Sequence, residues 1–174
     1  MQTNPGLRRL DPDVCRILCS NVQGLAGNLS DLTVASSQYD ILLCTETLVS
    51  DMRPVSELLV PGFGHPVSLC RGKMPRTRGM AAYVRDGYGG FRQPKFECGC
   101  CEMLVFRVCG VRQNIFFFSL YRNPVLDYRI AYFLLASMAA VQADDCLSCL
   151  WVISTYTNRH GVVAFDFATV SSCD

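Results

Sequence analysis

Three side chains with chemistry in them stand at the ends of apolar runs. Asn21 follows the run Cys15–Ser20, Glu46 follows Ile41–Cys44 after one threonine, and Tyr121 closes the run that begins at Asn114. A carboxylate, a carboxamide and a phenol gathered at one rim of a sheet can hold a hard cation and a phosphate. Glu46 would be an oxygen ligand to Mg²⁺, which takes one or two carboxylates together with water and substrate phosphate. Asn21 could donate to a phosphate oxygen or to a metal-bound water, and the Tyr121 hydroxyl could reach the same phosphate. Each residue also has a plainer explanation. Asn before a loop forms turns, Glu46 can cap the segment after it, and Tyr at a strand end is commonly core with a wet hydroxyl.

The elements that must position these residues can be read from the pattern. The Cys15–Ser20 run is apolar nearly throughout, as expected of a strand covered on both faces. Asn28 or Ser30 can cap a short helix to about Ser37, with Leu29, Leu32 and Ala35 or Ser36 facing inward. The second strand, Ile41–Cys44, completes a strand–helix–strand crossover with parallel strands, so Asn21 and Glu46 fall on the same edge of the sheet. A short helix is expected around Pro54–Leu59, then strands near Pro66–Cys70 and Met80–Arg85, with turns at Asp86-Gly87 and Gly89-Gly90. Glu102–Cys109 and Asn114–Tyr121 predict an antiparallel hairpin. Pro124 ends that ladder. Leu126, Ile130, Phe133, Leu134, Met138 and Val141 then predict a helix to about Ala143, and Cys146–Ile153 another strand. Gly161–Val170 reads as a last helical or turn-rich segment. Parallel and hairpin pairing together imply a mixed sheet or two packed sheets.

With 174 residues, the chain can form one domain with a sizeable core. Residues 1–13 read as a loose leader and residues 14–174 as the domain. Half of the residues are hydrophobic and 18% are charged, which excludes a disordered or highly charged chain. The net charge of +1 gives no overall attraction to nucleic acid or to an anionic membrane. Seven of the sixteen basic residues nevertheless lie between Arg71 and Lys95, against the single acid Asp86. That is a local phosphate-attracting strip or a solvated face. The eleven cysteines are odd in number and scattered, and no secretory core precedes them. They are expected to be reduced, in an intracellular (nuclear or cytoplasmic) protein that is not secreted. No run is long enough to span a bilayer. The pairs Cys98/Cys101 and Cys146/Cys149 are more widely separated than in a common zinc ribbon.

Taken in order, C-S-N-V-Q-G-L, L-L-C-T-E-T, R-G-M-A-A-Y-V and F-S-L-Y-R-N-P make the sequence recognisable. From Cys15 to Asp174 the chain resembles the endonuclease/exonuclease/phosphatase superfamily. Within that superfamily it looks most like the apurinic-type endonuclease domain of non-LTR (LINE-type) retrotransposons. The resemblance implies a four-layered α/β sandwich, two mixed sheets flanked by helices, that cleaves phosphodiester bonds with Mg²⁺. It assigns Asn21, Glu46 and Tyr121 to the active site, with Glu46 on the metal. It makes DNA the partner, with Arg76 and Arg78 of the basic loop and Arg122 and Asn123 after the last hairpin strand as DNA contacts. No obligate protein partner is implied.

The sequence departs from that pattern twice. The Gly-Asp-x-Asn that should close the strand Cys149–Ile153, supplying the acid that activates water, is absent: Ser154–Gly161 follows, and no acid occurs between Asp145 and Asp166. The Ser-Asp-His that should come last is also absent, and His65 and His160 both read as loop residues. The expectation is therefore a partial, degenerate copy with the C-terminal part missing, an apolar sheet edge uncovered, and little or no activity. The alternative is a non-catalytic DNA- or protein-binding module on the same fold. A cysteine-rich metal module would require bound zinc, and a phosphatase acting on small phosphoesters has no positive sign in the sequence.

Overall fold

A computed structural model describes residues 8–11, 14–49, 58–69, 79–97, 102–111, 114–121, 136, 139 and 148–154. The chain runs through β1 (Ile17–Asn21), α1 (Leu29–Ala35), β2 (Ile41–Thr45), β3 (Val67–Leu69) and β4 (Met80–Val84). It continues with β5 (Gly90–Arg92), β6 (Glu102–Cys109), β7 (Asn114–Tyr121) and β8 (Ser148–Ser154). Two four-stranded sheets result, ordered β1-β2-β4-β3 and β5-β6-β7-β8. Each contains one parallel pair, β1 with β2 and β7 with β8, among antiparallel neighbours. The sheets are thus both mixed and packed in two layers.

Side-chain alternation explains the long apolar runs. Ile17, Cys19, Ile41, Leu43, Met80, Ala82 and Val84 of the first sheet form one core with Leu104, Phe106, Val108, Ile115 and Phe117 of the second. Within that core, Phe106 and Phe117 stack with centroids 4.9 Å apart. The alternate residues Leu18, Leu42, Cys44, Ala81 and Tyr83 form a second core with Leu25 and Leu32. Both faces of β2 are therefore dry, and all five of its residues are buried. The other face of the second sheet is dry too, since Met103, Val105, Phe118 and Leu120 are buried.

The helix α1 has only seven residues, too few to be stable alone. Burial of Leu32, of order 1.5–3 kcal/mol, anchors it to the sheet. It gives way to a 3₁₀ turn over Ser36–Gln38, in which Ser36 rather than Ala35 is the buried residue. Asn28 stands at the N-cap position, but its side chain does not cap. Its Nδ2 donates backwards instead, to the carbonyls of Val22 (2.8 Å) and Gly24 (3.0 Å), and so folds the preceding loop. The expected helix over Pro54–Leu59 falls mostly outside the described residues, and Leu58 and Leu59 are not helical. Of the expected helix after Pro124, Ala136 and Ala139 are described, both helical and exposed. Gly89-Gly90 is not simply a turn, because Gly90 opens β5, an edge strand paired to β6.

Close contact fixes how the sheets stack. A Cβ built on Gly90 would meet Val84 Cγ2 at 2.7 Å, so only glycine lets β5 approach β4 there. Val84 is opposite Ile41, where β2 begins. Gly90 is opposite Val108, which in turn faces Ile115 near the start of β7. Strand β3 lies against β5 and β6, and β4 against β6, which carries β2 and β1 across β7 and β8. The starts of β1, β2, β7 and β8 therefore share one end of the sandwich, and their last residues share the other.

Candidate active site at the strand ends

The two sheets bring the candidate residues to that shared rim. β1 and β2 run in parallel register, with Asn21 beside Thr45, so Glu46 follows one step beyond Asn21 on the neighbouring strand. Tyr121 is the last residue of β7, in register with Glu102 on one side and Ser154 on the other. Arg76, Arg78, Arg122 and Asn123 lie outside the described residues.

The loops at this rim are held by backbone bonds that continue the β1–β2 pairing. The N–H of Val22 donates to the Thr45 carbonyl (3.0 Å), that of Gly24 to Glu46 (2.8 Å) and that of Leu25 to Thr47 (2.9 Å). The Thr47 N–H donates to the Gly79 carbonyl at 3.2 Å. Three residues other than glycine adopt left-handed backbone here: Gln23 (φ 43°), Glu46 (φ 54°) and Leu48 (φ 53°). Among the described residues no others do, and each costs of order 1–2 kcal/mol. A left-handed residue immediately after β2 breaks the strand's alternation, so Glu46 does not simply continue the outward series of Leu42 and Cys44.

Glu46 is buried, at 4% exposure. A carboxylate so placed keeps its charge only by pairing or hydrogen bonding. Asn21 is half-buried, and its Oδ1 accepts the Gln23 N–H at 3.3 Å. That bond is the one the turn-forming explanation for Asn21 predicts. Thr45 and Thr47, 1% and 2% exposed, flank Glu46, and neither hydroxyl has a hydrogen-bond partner. Glu46 and Thr45 offer hard oxygens, which suit Mg²⁺ rather than a soft metal. Among the described residues no three His, Cys, Asp or Glu side chains converge as a ready-made metal cage.

Two residues at this rim were not singled out in the sequence. Glu102 opens β6 directly opposite Tyr121, in series with the inward-facing Leu104, Phe106 and Val108. Thr45 continues the inward series of Ile41 and Leu43. The available signal in both cases was a polar residue at the rim end of an otherwise apolar run. Three of the seven basic residues of the window are described. Arg85 donates to the carbonyls of Tyr39 (2.9 Å), Ser36 (3.1 Å) and Ser37 (3.2 Å), and Arg92 grips Glu97 at 3.0 and 2.7 Å. Lys95 lies over the Phe96 ring. These three serve the fold, while Arg71, Lys73, Arg76 and Arg78 lie outside the described residues.

Cys15, Cys19, Cys44 and Cys109 are free thiols in or beside the core. Burial pushes Cys19 and Cys44 up to about 12, and Cys15 likewise with help from Asp40. Such thiols are poor nucleophiles and poor metal ligands. Cys149 lies in β8, while Cys98, Cys101 and Cys146 lie outside the described residues. Among the described residues no helix is long and apolar enough to cross a membrane.

No family model and no curated protein sequence matches this chain. Solved structures do match it. The endonuclease domain of TRAS1, a telomere-specific non-LTR retrotransposon, aligns with TM-score 0.54 and 17% identity, over 80% of this chain and 59% of that one. The AP endonuclease LMAP from Leishmania major gives 0.55 and 15%, over 80% and 54%. A mannosyl-6-phosphatase from Bacteroides thetaiotaomicron gives 0.52 and 14%, over 80% and 64%. The architecture is thus the endonuclease/exonuclease/phosphatase fold, an α/β sandwich built on two sheets. The chain spans less than two thirds of the length of each of these structures.

Proposed function

We propose that this chain carries part of the active site of a Mg²⁺-dependent DNA endonuclease of the non-LTR retrotransposon type. In this reading Glu46 is the cation ligand, Asn21 orients a phosphate oxygen or a bound water, and Tyr121 donates to the scissile phosphate. Arg76, Arg78, Arg122 and Asn123 contact DNA. The observation that supports it best is the register that sets Asn21 beside Thr45 and one step from Glu46, at the rim where the backbone strain collects. Strain concentrated at one site is characteristic of functional geometry. The neighbours in fold space are nucleases and phosphatases, and one of them is a 3′ phosphatase bound to product DNA. A divalent cation suits the carboxylate oxygens of Glu46, and when bound it would neutralise phosphate charge and acidify water.

The same reading makes residues 1–174 by themselves catalytically inert. Strand β8 ends at Ser154 in register with Tyr121, and the seven residues that follow, Thr155–Gly161, contain no acid. A general base contributes about 10²–10⁴ in rate, and without one the positioned phosphate has no activated water beside it. Incubation with supercoiled plasmid and Mg²⁺ is expected to yield no nicked circles. Nicking that disappears in Glu46→Ala would overturn the inertness and leave the site assignment standing.

The missing acid after β8 favours a second reading, a module that binds DNA without cutting it. Binding that falls with rising salt, and falls further in the double variant Arg76→Ala/Arg78→Ala, would support it.

A further inference from the structure

We infer that Thr45 is a ligand residue of the rim site: its hydroxyl oxygen joins Glu46 in holding the divalent cation. This rests on the cation-binding reading of Glu46 given above. Thr45 is 1% exposed, and its Oγ1 has no hydrogen-bond partner. A buried hydroxyl left in that state is costly in a β-strand, where valine has the same shape and no such penalty. Its position makes it useful. It is the last residue of β2, opposite Asn21 on β1 and Met80 on β4, in the series that faces the second sheet. Ile41 and Leu43 of β2 share one core with Ile115 and Phe117 of β7, so Thr45 ends its strand on the face turned to the sheet in which β7 ends at Tyr121. The residue immediately after it is the candidate cation ligand, in left-handed conformation.

A threonine hydroxyl is a neutral hard-oxygen ligand, and it keeps an O–H to donate to a phosphate oxygen on the same cation. That is the contribution a site with one carboxylate on this strand needs, given that no three acidic, histidine or cysteine side chains converge among the described residues. Thr47, the other orphaned hydroxyl, has a different setting. A Cβ built on Gly79 would meet its Oγ1 at 2.7 Å, so it is wedged beneath the Gly79 backbone.

The test is Mn²⁺ binding to the intact chain, followed by the loss of the free-ion electron paramagnetic resonance signal, with thermal melts in and out of the cation. Thr45→Val is expected to bind Mn²⁺ about tenfold more weakly, the loss typical of a supporting group at a metal. Its melting temperature without cation is expected to equal the parent's or exceed it by about 2–4 °C, because the orphaned hydroxyl is gone. Thr45→Ser should keep binding near the parent's. Thr47→Val should leave binding unchanged. Parental affinity in Thr45→Val, together with loss of binding in Glu46→Gln, would sink the Thr45 assignment and spare the cation site. An equal loss in Thr47→Val would also overturn it, by showing a general loop effect. Absence of Mn²⁺ binding in the parent, or binding indifferent to Glu46→Gln, would overturn the cation reading itself and Thr45 with it.

Discussion

The two ends of this sandwich are built on opposite terms. At the end where β1 and β2 begin, the polar groups around Arg85 are matched and no described residue other than glycine is left-handed, although Arg107 Nε towards that end has no partner. Arg85 ties off three carbonyls of the segment after α1, lies 4.9 Å from the centre of the Phe63 ring and approaches Asp40 at 3.7 Å. Asp40 in turn accepts the Arg16 N–H at 3.0 Å. At the end where the same strands finish, three non-glycine residues are left-handed, and two buried hydroxyls lack partners. The backbone strain of the described residues is thus collected at one rim and absent from the other.

That contrast can be broken or sharpened by experiment, and the largest effect concerns the core on which both ends rest. Cys15, Cys19 and Cys44 have folded pKa values raised from 9.0 to about 12. Above pH 9 the unfolded chain loses these thiol protons while the folded chain keeps them, so stability must fall with rising pH. The window runs from pH 9 towards 12, and below 9 these thiols impose no pH dependence. Urea unfolding across that range checks the sign. A flat profile would mean that the thiols are not buried together in the folded state.

At the unstrained end, Arg85→Ala removes the guanidinium from the carbonyls of Tyr39, Ser36 and Ser37, of which Ser36 keeps the Tyr39 N–H, and takes a cation from the Phe63 ring. The loss is expected to be about 2–4 kcal/mol in chemical unfolding, given the usual value of hydrogen bonds to a charged group and their non-additivity. At the strained end the sign should reverse. Leu48 is 61% exposed with φ 53°, so Leu48→Gly relieves a left-handed residue and gives up little buried surface. It is expected to stabilise the chain by about 0.5–1 kcal/mol. A destabilised Leu48→Gly, or a neutral Arg85→Ala, would erase the distinction between the ends.

How much of this was legible in the sequence follows from the range over which each signal acts. Asn21 and Glu46 were readable because an apolar run of strand length stops at each, and a crossover of about thirty residues makes the strands parallel. The inward and outward parity of β2 was not, since all five of its residues are buried and alternation carries no contrast. Arg85 counted as one more positive charge, because the carbonyls it serves lie 46 to 49 residues earlier. β5 was hidden because three residues that begin on the second glycine of Gly89-Gly90 have no periodicity of their own, and pairing with β6 makes them a strand. The left-handed Glu46 could not be foreseen, since the usual marker of that conformation is glycine.

The bonds that run past the ends of β1 and β2 have a consequence for recognition. Three successive rungs join Val22, Gly24 and Leu25 to the carbonyls of residues 45, 46 and 47, so the loops carrying the candidate ligands are zipped together before anything arrives. Their ordering entropy is settled during folding, so little remains to be lost when a cation or phosphate docks. A rim prepared in this way is a rigid receptor. It would discriminate among ligands by fit to a fixed backbone rather than by wrapping around whatever binds.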